Sequence, residues 1–216
     1  MAHKRAGLLA QIEADLIGGT VPLSLILQNC ITLGREAGSD QLRAWAHEEL
    51  HGYAEADTAA DYRRVPAVLM ARITNLVGYN GGPVRFDASI FPTHVRDGLR
   101  REEIDLDNAI LGQGIGELED MDSQGKEAYT VIPNWAPLIA EMLNRDRIAQ
   151  NSRVADVYFS VSHASIHSIL VRIRTALVEL VAELITLTPQ DQEVPDKQAT
   201  DQAVQFVING DRTTIY

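Results

Sequence analysis

A short histidine-containing segment carries the residues with the clearest chemical potential in this sequence. His47, Glu48 and His51 fit the pattern His-Glu-x-x-His. On a helix, histidines four residues apart share a face and can bind zinc, while the glutamate can activate a water molecule. The apolar spacing of residues 42–50 is helical, so a zinc-dependent hydrolase or peptidase is one functional hypothesis.

Three features of the same segment argue against a zinc site. Glu49 places a further charge inside the motif, where zinc hydrolases of this type usually carry uncharged residues. The predicted helix ends directly after the second histidine, and no Gly-x-x-His continuation supplies a third ligand. Candidate third ligands without a fixed position are Glu55, Glu102 and Glu103. The alternative prediction is a solvated helix face opposite Trp45 and Leu50, with no metal, no cofactor and no catalytic residue.

Two further groups could take part in chemistry. His163 and His167 repeat the four-residue spacing and could complete a four-histidine site, but no nearby carboxylate completes a catalytic triad, which favours surface or helix-start histidines. Gly112–Gly116 resembles a phosphate loop, yet Glu117 stands where a dinucleotide fingerprint needs glycine, and no clear strand precedes it. A kinked segment is the preferred interpretation. Nucleotide sensing at this turn, or at Gly78–Pro83, is the weaker functional alternative.

The composition limits the classes of partner. The 216-residue chain has a formal net charge of −11 and a pI near 4.9, and an acidic surface repels phosphate backbones, so direct nucleic-acid binding is disfavoured. Cys30 is the single cysteine and lies in an apolar helical stretch, which favours a buried side chain and a reducing compartment. No apolar stretch of ~20 residues is present, and the first residues lack a signal peptide. These features predict a cytoplasmic protein with no membrane contact.

The elements that would position these residues are mostly helical. Three N-terminal helices are predicted, ending near Gly18, Gly38 and Gly52, with Pro22 and Ser39 at the starts of the second and third. The strongest pattern is a long helix over Ser165–Thr186. Its apolar residues, at steps of three and four, are Ile166, Ile169, Leu170, Ile173, Leu177, Leu180, Val181 and Leu184.

Between these helical regions the composition favours strands. Strand formers dominate residues 65–77, 84–90 and 154–162, and Gly78–Pro83 reads as the turn joining the first two. Residues 108–118 have a weak helical pattern, and residues 120–128 are predicted to form a polar loop. Helices are expected after Pro92 and Pro133. The predicted fold is therefore α+β and mostly helical, with a three-helix cluster, a central β segment, a long C-terminal helix and a short β tail.

The C-terminal residues are predicted to form a separate tail. Residues 189–202 are polar and contain two prolines, which indicates a linker after a domain at 1–188. In residues 203–216, Val204, Phe206 and Ile208 alternate with Ala203, Gln205 and Val207, and Asn209-Gly210 favours a hairpin. Because an isolated hairpin is marginal in water, this tail is expected to pair with another chain. The candidate interaction residues are Val204, Phe206, Ile208 and Ile215.

The N-terminal third resembles the bacterial AbiTii domain family. The similar segments are Leu8–Leu16, Val21–Leu27, Leu42–Trp45, Glu49–Tyr53, Asp61–Arg63 with Val65-Pro66, and Ile173-Arg174-x-x-Leu177 on the long helix. The similarity covers about Leu8 to Leu187. The family name derives from abortive-infection phage defence, so the resemblance implies an antiviral role, and it accounts for Trp45, Glu49 and Tyr53 without zinc.

These observations give a first functional hypothesis. The chain is expected to be a non-enzymatic interaction module of a phage-defence system, a homo-oligomer, with a second defence protein encoded nearby as a further possible partner. The zinc hydrolase using His47, Glu48 and His51 is the alternative, and the nucleotide sensor is the third.

Overall fold

The computed structural model describes residues 7–55, 58–75, 80–87, 89, 91–102, 104–145, 152–208 and 210. In chain order, the helices are α1 (Leu8–Gly18), α2 (Leu23–Ala37), α3 (Asp40–His51), α4 (Thr93–Arg101), α5 (Ile115–Gln124), α6 (Ala136–Arg145), α7 (His163–Leu187) and α8 (Lys197–Val207). The strands are β1 (Arg64–Pro66), β2 (Val68–Asn75), β3 (Asn80–Arg85), β4 (Asn108–Ile110), β5 (Ala128–Val131) and β6 (Ser152–Ser162), and a 3-10 turn spans Asp61–Arg63. The predicted α+β class, mostly helical, is confirmed.

The first of two structural units combines three separate parts of the chain. It comprises residues 1–63, 112–124 and 167–216. Within it, α2 packs against α1, α3 and α5, and α3 also packs against α5 and α8. The predicted three-helix cluster is therefore confirmed.

Glycine and serine set the ends of the N-terminal helices. Gly19 and Gly38 follow α1 and α2 with φ values of 68° and 72°, a left-handed conformation that glycine adopts without steric cost. At the start of α3, the Ser39 hydroxyl accepts a hydrogen bond from the Leu42 amide at 3.1 Å. The predicted boundaries of all three helices are confirmed to within one or two residues.

The long helix α7 forms the centre of the hydrophobic core, as its spacing predicts. The core-facing side chains are at most 3% exposed, namely Ile166, Ile169, Ile173, Leu177, Leu180, Val181 and Leu184. Leu170 differs, because it is only half-buried. Part of the opposite face of α7 is exposed and uncharged. No helix among the residues described above is long and apolar enough to cross a membrane.

The second unit contains the sheets and comprises residues 64–111 and 125–166. Its larger sheet has the order β3-β2-β6-β5 with antiparallel neighbours, and β1 pairs with β4 in a smaller sheet. Helix α6 packs against β6, where the Asn144 side chain hydrogen-bonds both the amide and the carbonyl of Val154. The predicted strands at 65–77 and 154–162 are thus confirmed in their main parts.

Several local predictions in the middle of the chain are wrong. The segment Asn80–Pro83, predicted as a turn, belongs to β3, and the strand predicted at 84–90 ends at Arg85. Residues 108–110 form β4 instead of a weak helix, and residues 120–124, predicted as loop, complete α5. The extra strand residues pair with other strands: β3 pairs with the preceding strand β2, and β4 pairs with β1, which lies about forty residues earlier.

The predicted linker and β tail are also wrong over the described residues. Lys197–Val207 form α8, and the Asp196 carboxylate caps this helix by accepting from the Ala199 amide at 2.8 Å. Thr200, Ala203 and Val204 are buried at positions i, i+3 and i+4, a helical spacing hidden by the local alternation. Val204 is therefore a core residue, Phe206 is 47% exposed and Ile208 follows the helix end. Ile215 and the predicted hairpin at residues 209–216 lie outside the described residues, except Gly210.

Candidate functional site

The residues of the His-Glu-x-x-His pattern lie on the exposed side of α3. His47, Glu48 and His51 are all exposed, and the centroids of the two imidazole rings are 4.4 Å apart. The spacing therefore brings the two histidines together, as predicted. In the part of the chain that the structure describes, no group of three or more His, Cys, Asp or Glu residues is arranged to hold a metal ion.

The second histidine pair lies at the start of α7. The Nδ1 atom of His167 is 3.3 Å from both carboxylate oxygens of Asp122 on α5. The His163 amide, in the other unit, donates to the Glu127 carbonyl at 3.2 Å. The prediction that both histidines lie at a helix start is confirmed, and the four-histidine site finds no support in this geometry.

A fully buried ion pair lies on the other side of α3. Glu49 Oε2 and Arg63 Nη2 are 2.6 Å apart, and both side chains are 0% exposed. The prediction that the charge of Glu49 belongs to a solvated face is therefore wrong. Leu42, Trp45, Ala46 and Glu49 occupy positions i, i+3, i+4 and i+7, so the period that identified the buried stripe also places Glu49 on it.

Two tyrosines complete the surroundings of the Glu49 carboxylate. The hydroxyls of Tyr53 and Tyr62 both donate to Glu49 Oε1, and Trp45 Nε1 donates to the Tyr62 hydroxyl at 3.0 Å. Burial, followed by the negative charge of Glu49, raises the pKa of each tyrosine well above its usual range. Both hydroxyls therefore stay protonated at neutral pH and act as hydrogen-bond donors.

Arg63 connects this cluster to a glycine-rich loop. Its Nη1 donates to the Gln113 carbonyl, and its Nη2 also lies 3.5 Å from the Glu49 carbonyl at the end of α3. The guanidinium carbon lies 5.4 Å from the centroid of the Tyr53 ring. A buried charge pair depends on further partners for its donors and acceptors, and the cluster supplies them for both terminal nitrogens of the guanidinium.

The glycines of the predicted phosphate loop have a packing role. Gly52 and Gln113 form an isolated β-bridge, and the Tyr53 amide donates to the Gly112 carbonyl at 2.9 Å. A Cβ atom on Gly114 would lie 2.5 Å from the Leu50 carbonyl, and one on Gly52 would lie 2.7 Å from the Gly112 carbonyl. The two backbones can cross at this distance only because both residues lack a side chain.

We name the residues Trp45, Glu49, Tyr53, Tyr62 and Arg63 the Glu49 cluster. It joins the end of α3, the 3-10 turn and the loop at 112–114 inside the first unit. The Glu49 carboxylate and the Arg63 guanidinium are closed off from solvent, so the cluster has the properties of a structural element. Its members coincide with the motifs that suggested the family resemblance.

A solvent-accessible cleft lies elsewhere in the first unit, along α7. It has a volume of about 540 Å³, and its apolar lining includes Leu23, Leu170, Val171 and Val178. Two of its polar residues make contacts within the chain: Glu119 accepts from the Leu23 amide at 2.6 Å, and Arg174 Nη2 lies 3.4 Å from the Val21 carbonyl, while Arg174 Nη1 is buried without a hydrogen-bond partner among the described residues. Nothing in the sequence pattern predicted this cleft, because it depends on how α5 packs beside α7.

Comparison with known proteins identifies the family. The AbiTii family model matches residues 7–209, a range that contains the whole Glu49 cluster and all of α8. No curated protein matches the chain, and no solved structure does. The match covers nearly the entire sequence and agrees with the resemblance seen in the N-terminal motifs. The chain therefore belongs to the AbiTii family and has the role that this family implies, abortive-infection defence against phage.

Proposed function

We propose that this protein is a non-enzymatic, self-associating module of a bacterial abortive-infection system. The observation that carries the proposal is an exposed, uncharged line of residues along α7, the same helix that forms the core of the first unit. A helix with apolar residues on opposite sides is typical of a position between two packing partners. Among the residues that the structure describes, the hydrophobic core covers one side of α7 and leaves Val171 and Val178 exposed on the other.

The exposed line is defined here as the α7 outer face. Its members, at alternating steps of four and three residues, are the exposed Val171, Thr175, Val178 and Ala182 and the half-buried Ile185. Val171 is 50% exposed and Val178 is 45% exposed, whereas a solvated helix face normally carries charges at such positions. Exposed apolar surface of this kind marks interaction sites in soluble proteins.

The hydroxyl groups of Thr175 and Thr186 form hydrogen bonds within α7. The hydroxyl of Thr175 donates to the Val171 carbonyl at 3.0 Å, and that of neighbouring Thr186 donates to the Ala182 carbonyl at 2.9 Å. Each hydroxyl is thus bonded within the helix, which leaves the methyl group as the accessible part of the side chain. The α7 outer face can therefore be covered without leaving a hydroxyl unsatisfied.

The proposal is tested by measuring mass and metal content together. Native mass spectrometry of the purified full-length chain, prepared without chelator, should show an oligomer at micromolar concentration that carries no stoichiometric metal. A monomer at every concentration would overturn self-association. One zinc per chain, together with a hydrolytic activity that is lost in Glu48→Gln, would overturn the non-enzymatic assignment.

A cellular experiment connects assembly with defence. Bacteria that carry the complete defence locus should lose phage protection when the α7 outer face is made charged by Val178→Glu. The matched control is Val84→Glu on β3, since Val84 is 42% exposed and lies outside the first unit. Equal protection by both variants would contradict a role for the α7 outer face in defence.

A further inference from the structure

We infer that two copies of this chain pair through their α7 helices in an antiparallel arrangement. The inference rests on the proposed self-association and names its partner and geometry. Steps of four and three residues average 3.5, the repeat at which two helices wind around each other with a left-handed supercoil. Over Val171–Ile185 this repeat is held by residues that are all uncharged.

The residue types on the α7 outer face suit close helix packing. Valine and alanine are short, and Thr175 presents its methyl group because its hydroxyl is bonded to its own helix. Short side chains allow the axes of two helices to approach closely, so the exposed surfaces of both copies can be removed from water. The buried apolar area would provide the main favourable free energy of association.

Charges beside the α7 outer face select the direction of the second helix. Arg172 and Glu179 are both exposed, follow Val171 and Val178 directly, and therefore flank the line on the same side. In an antiparallel pair centred near Thr175–Val178, Arg172 of each copy lies opposite Glu179 of the other. Two-fold symmetry then produces the ion pair twice.

The opposite flank carries no comparable exposed pair. Its residues are His167, Arg174 and Val181, of which Val181 is buried in the core and Arg174 is half-buried with Nη2 near the Val21 carbonyl. A parallel pair would instead place Arg172 beside His167 and Glu179 beside Arg174 of the other copy, and those two partners already contact Asp122 and the Val21 carbonyl within their own chain. Arg172 Nη1 lies 3.4 Å from the Tyr62 carbonyl, and the residue is exposed.

The cleft along α7 supports the same partner. Val171, Thr175 and Val178 form part of its wall, and Leu23 and Leu170 continue the apolar surface beyond the α7 outer face. A helix seated on α7 would fill this space and cover more apolar area than the α7 outer face offers alone. The partner is therefore expected to be a helix, and the complementary charges identify it as α7 of a second copy.

Charge reversal tests this geometry. Arg172→Glu or Glu179→Arg alone places like charges opposite each other twice, so the dimer dissociation constant should rise about tenfold at low salt. The double variant Arg172→Glu/Glu179→Arg restores both pairs with exchanged signs and should return to within about threefold of the wild-type value. Both positions are exposed, so folding should be retained, which circular dichroism would verify. Dissociation constants are measured by sedimentation equilibrium.

The outcomes separate the inference from the proposed function. A wild-type chain that stays monomeric would overturn self-association and the inference together. An oligomer that Val178→Glu leaves intact would overturn the inference while the proposed function stands. Single reversals that weaken the dimer without rescue in the double variant would overturn the antiparallel arrangement. Weakening by each single reversal and rescue by the double variant would support it.

Discussion

Glu49 and Arg63 form an ion pair of 2.6 Å with neither side chain exposed to solvent. Fourteen positions of sequence separate them, so the pair closes the segment between α3 and the 3-10 turn. Removing one partner of a buried pair leaves the other charge without compensation, whereas exchanging both for apolar residues can be nearly neutral. The stability of this region therefore depends on keeping both charges of the pair together.

The first prediction concerns the two adjacent glutamates of α3. Glu49→Gln should lower the free energy of unfolding by about 3–5 kcal/mol, because Arg63 would remain buried without an opposing charge. Glu48→Gln is the matched control at an exposed position and should change stability by less than about 0.5 kcal/mol. Urea unfolding monitored by circular dichroism measures both. Equal stabilities of the two variants would contradict the structural role of Glu49.

The second prediction compares two glycines of the loop beside α5. Gly114→Ala should destabilise the protein by about 1–3 kcal/mol, because its Cβ would lie 2.5 Å from the Leu50 carbonyl. Gly116→Ala has no atom within 4 Å of the added Cβ and lies inside α5, so it should be neutral or stabilising by up to about 1 kcal/mol. Thermal unfolding of both variants provides the comparison. An unchanged melting temperature for Gly114→Ala would contradict the prediction, because it would show that the two backbone segments can move apart to accommodate a Cβ atom.

The third prediction is a pH dependence of the α3–α8 contact. Hydrogen bonds from the Lys197 ammonium at 2.7 Å and the Ser39 hydroxyl at 2.6 Å lower the pKa of Asp201. Because the folded-state pKa is the lower one, the stabilisation is complete above the ordinary aspartate pKa of about 3.9 and is lost as pH falls through the folded value. The stability difference between wild type and Asp201→Asn should therefore be larger at pH 7 than at pH 2.5.

Asp191→Asn provides the control for that comparison, because Asp191 is exposed and precedes α8. Other carboxylates titrate in the same range, so only the difference between wild type and each variant is informative. A difference for Asp201→Asn that stays constant from pH 7 to pH 2.5 would argue against the carboxylate as the titrating group.

The fourth prediction concerns the single cysteine. Cys30 is 1% exposed, and burial raises the pKa of its thiol to about 12. The reactive thiolate is therefore scarce below that pH, and reagent cannot reach the sulfur without opening of the first unit. A disulfide reagent at pH 8 should label the native protein far more slowly than the urea-unfolded protein, and Cys30→Ser should abolish labelling. Rapid labelling of the native state would place the thiol in an accessible setting.

Local sequence patterns predicted the helical part of this fold well. The three N-terminal helices and α7 carry their own stops, caps and apolar period, so no distant contact is needed to recognise them. The small β4 strand and the start of α5 depend on partners elsewhere in the chain, and their own residues contain little strand or helix preference. In α8 a polar surface and an accidental alternation concealed the helical spacing of Thr200, Ala203 and Val204.

The functional residues show the same division. The spacing of His47 and His51 correctly placed both on one side of α3, but it does not show whether a third ligand approaches them. The burial of Glu49 could have been inferred from its position on the stripe with Leu42, Trp45 and Ala46. The pairing of Glu49 with Arg63 could not have been inferred from the sequence, because that contact depends on the path of the chain between Gly52 and Asp61.

The division of the chain into two units has a consequence for its synthesis. Residues 64–111 and 125–166, which form the second unit, are all synthesised before the last third of α7 and before α8. Units tend to fold when their residues become available during translation, so the β-containing unit can form while the helical unit still lacks α8. A ribosome that stops before residue 197 would release a chain in which the packing surface of α3 for α8 is uncovered. Completion of the helical unit, and with it any assembly through α7, therefore depends on translation continuing through α8.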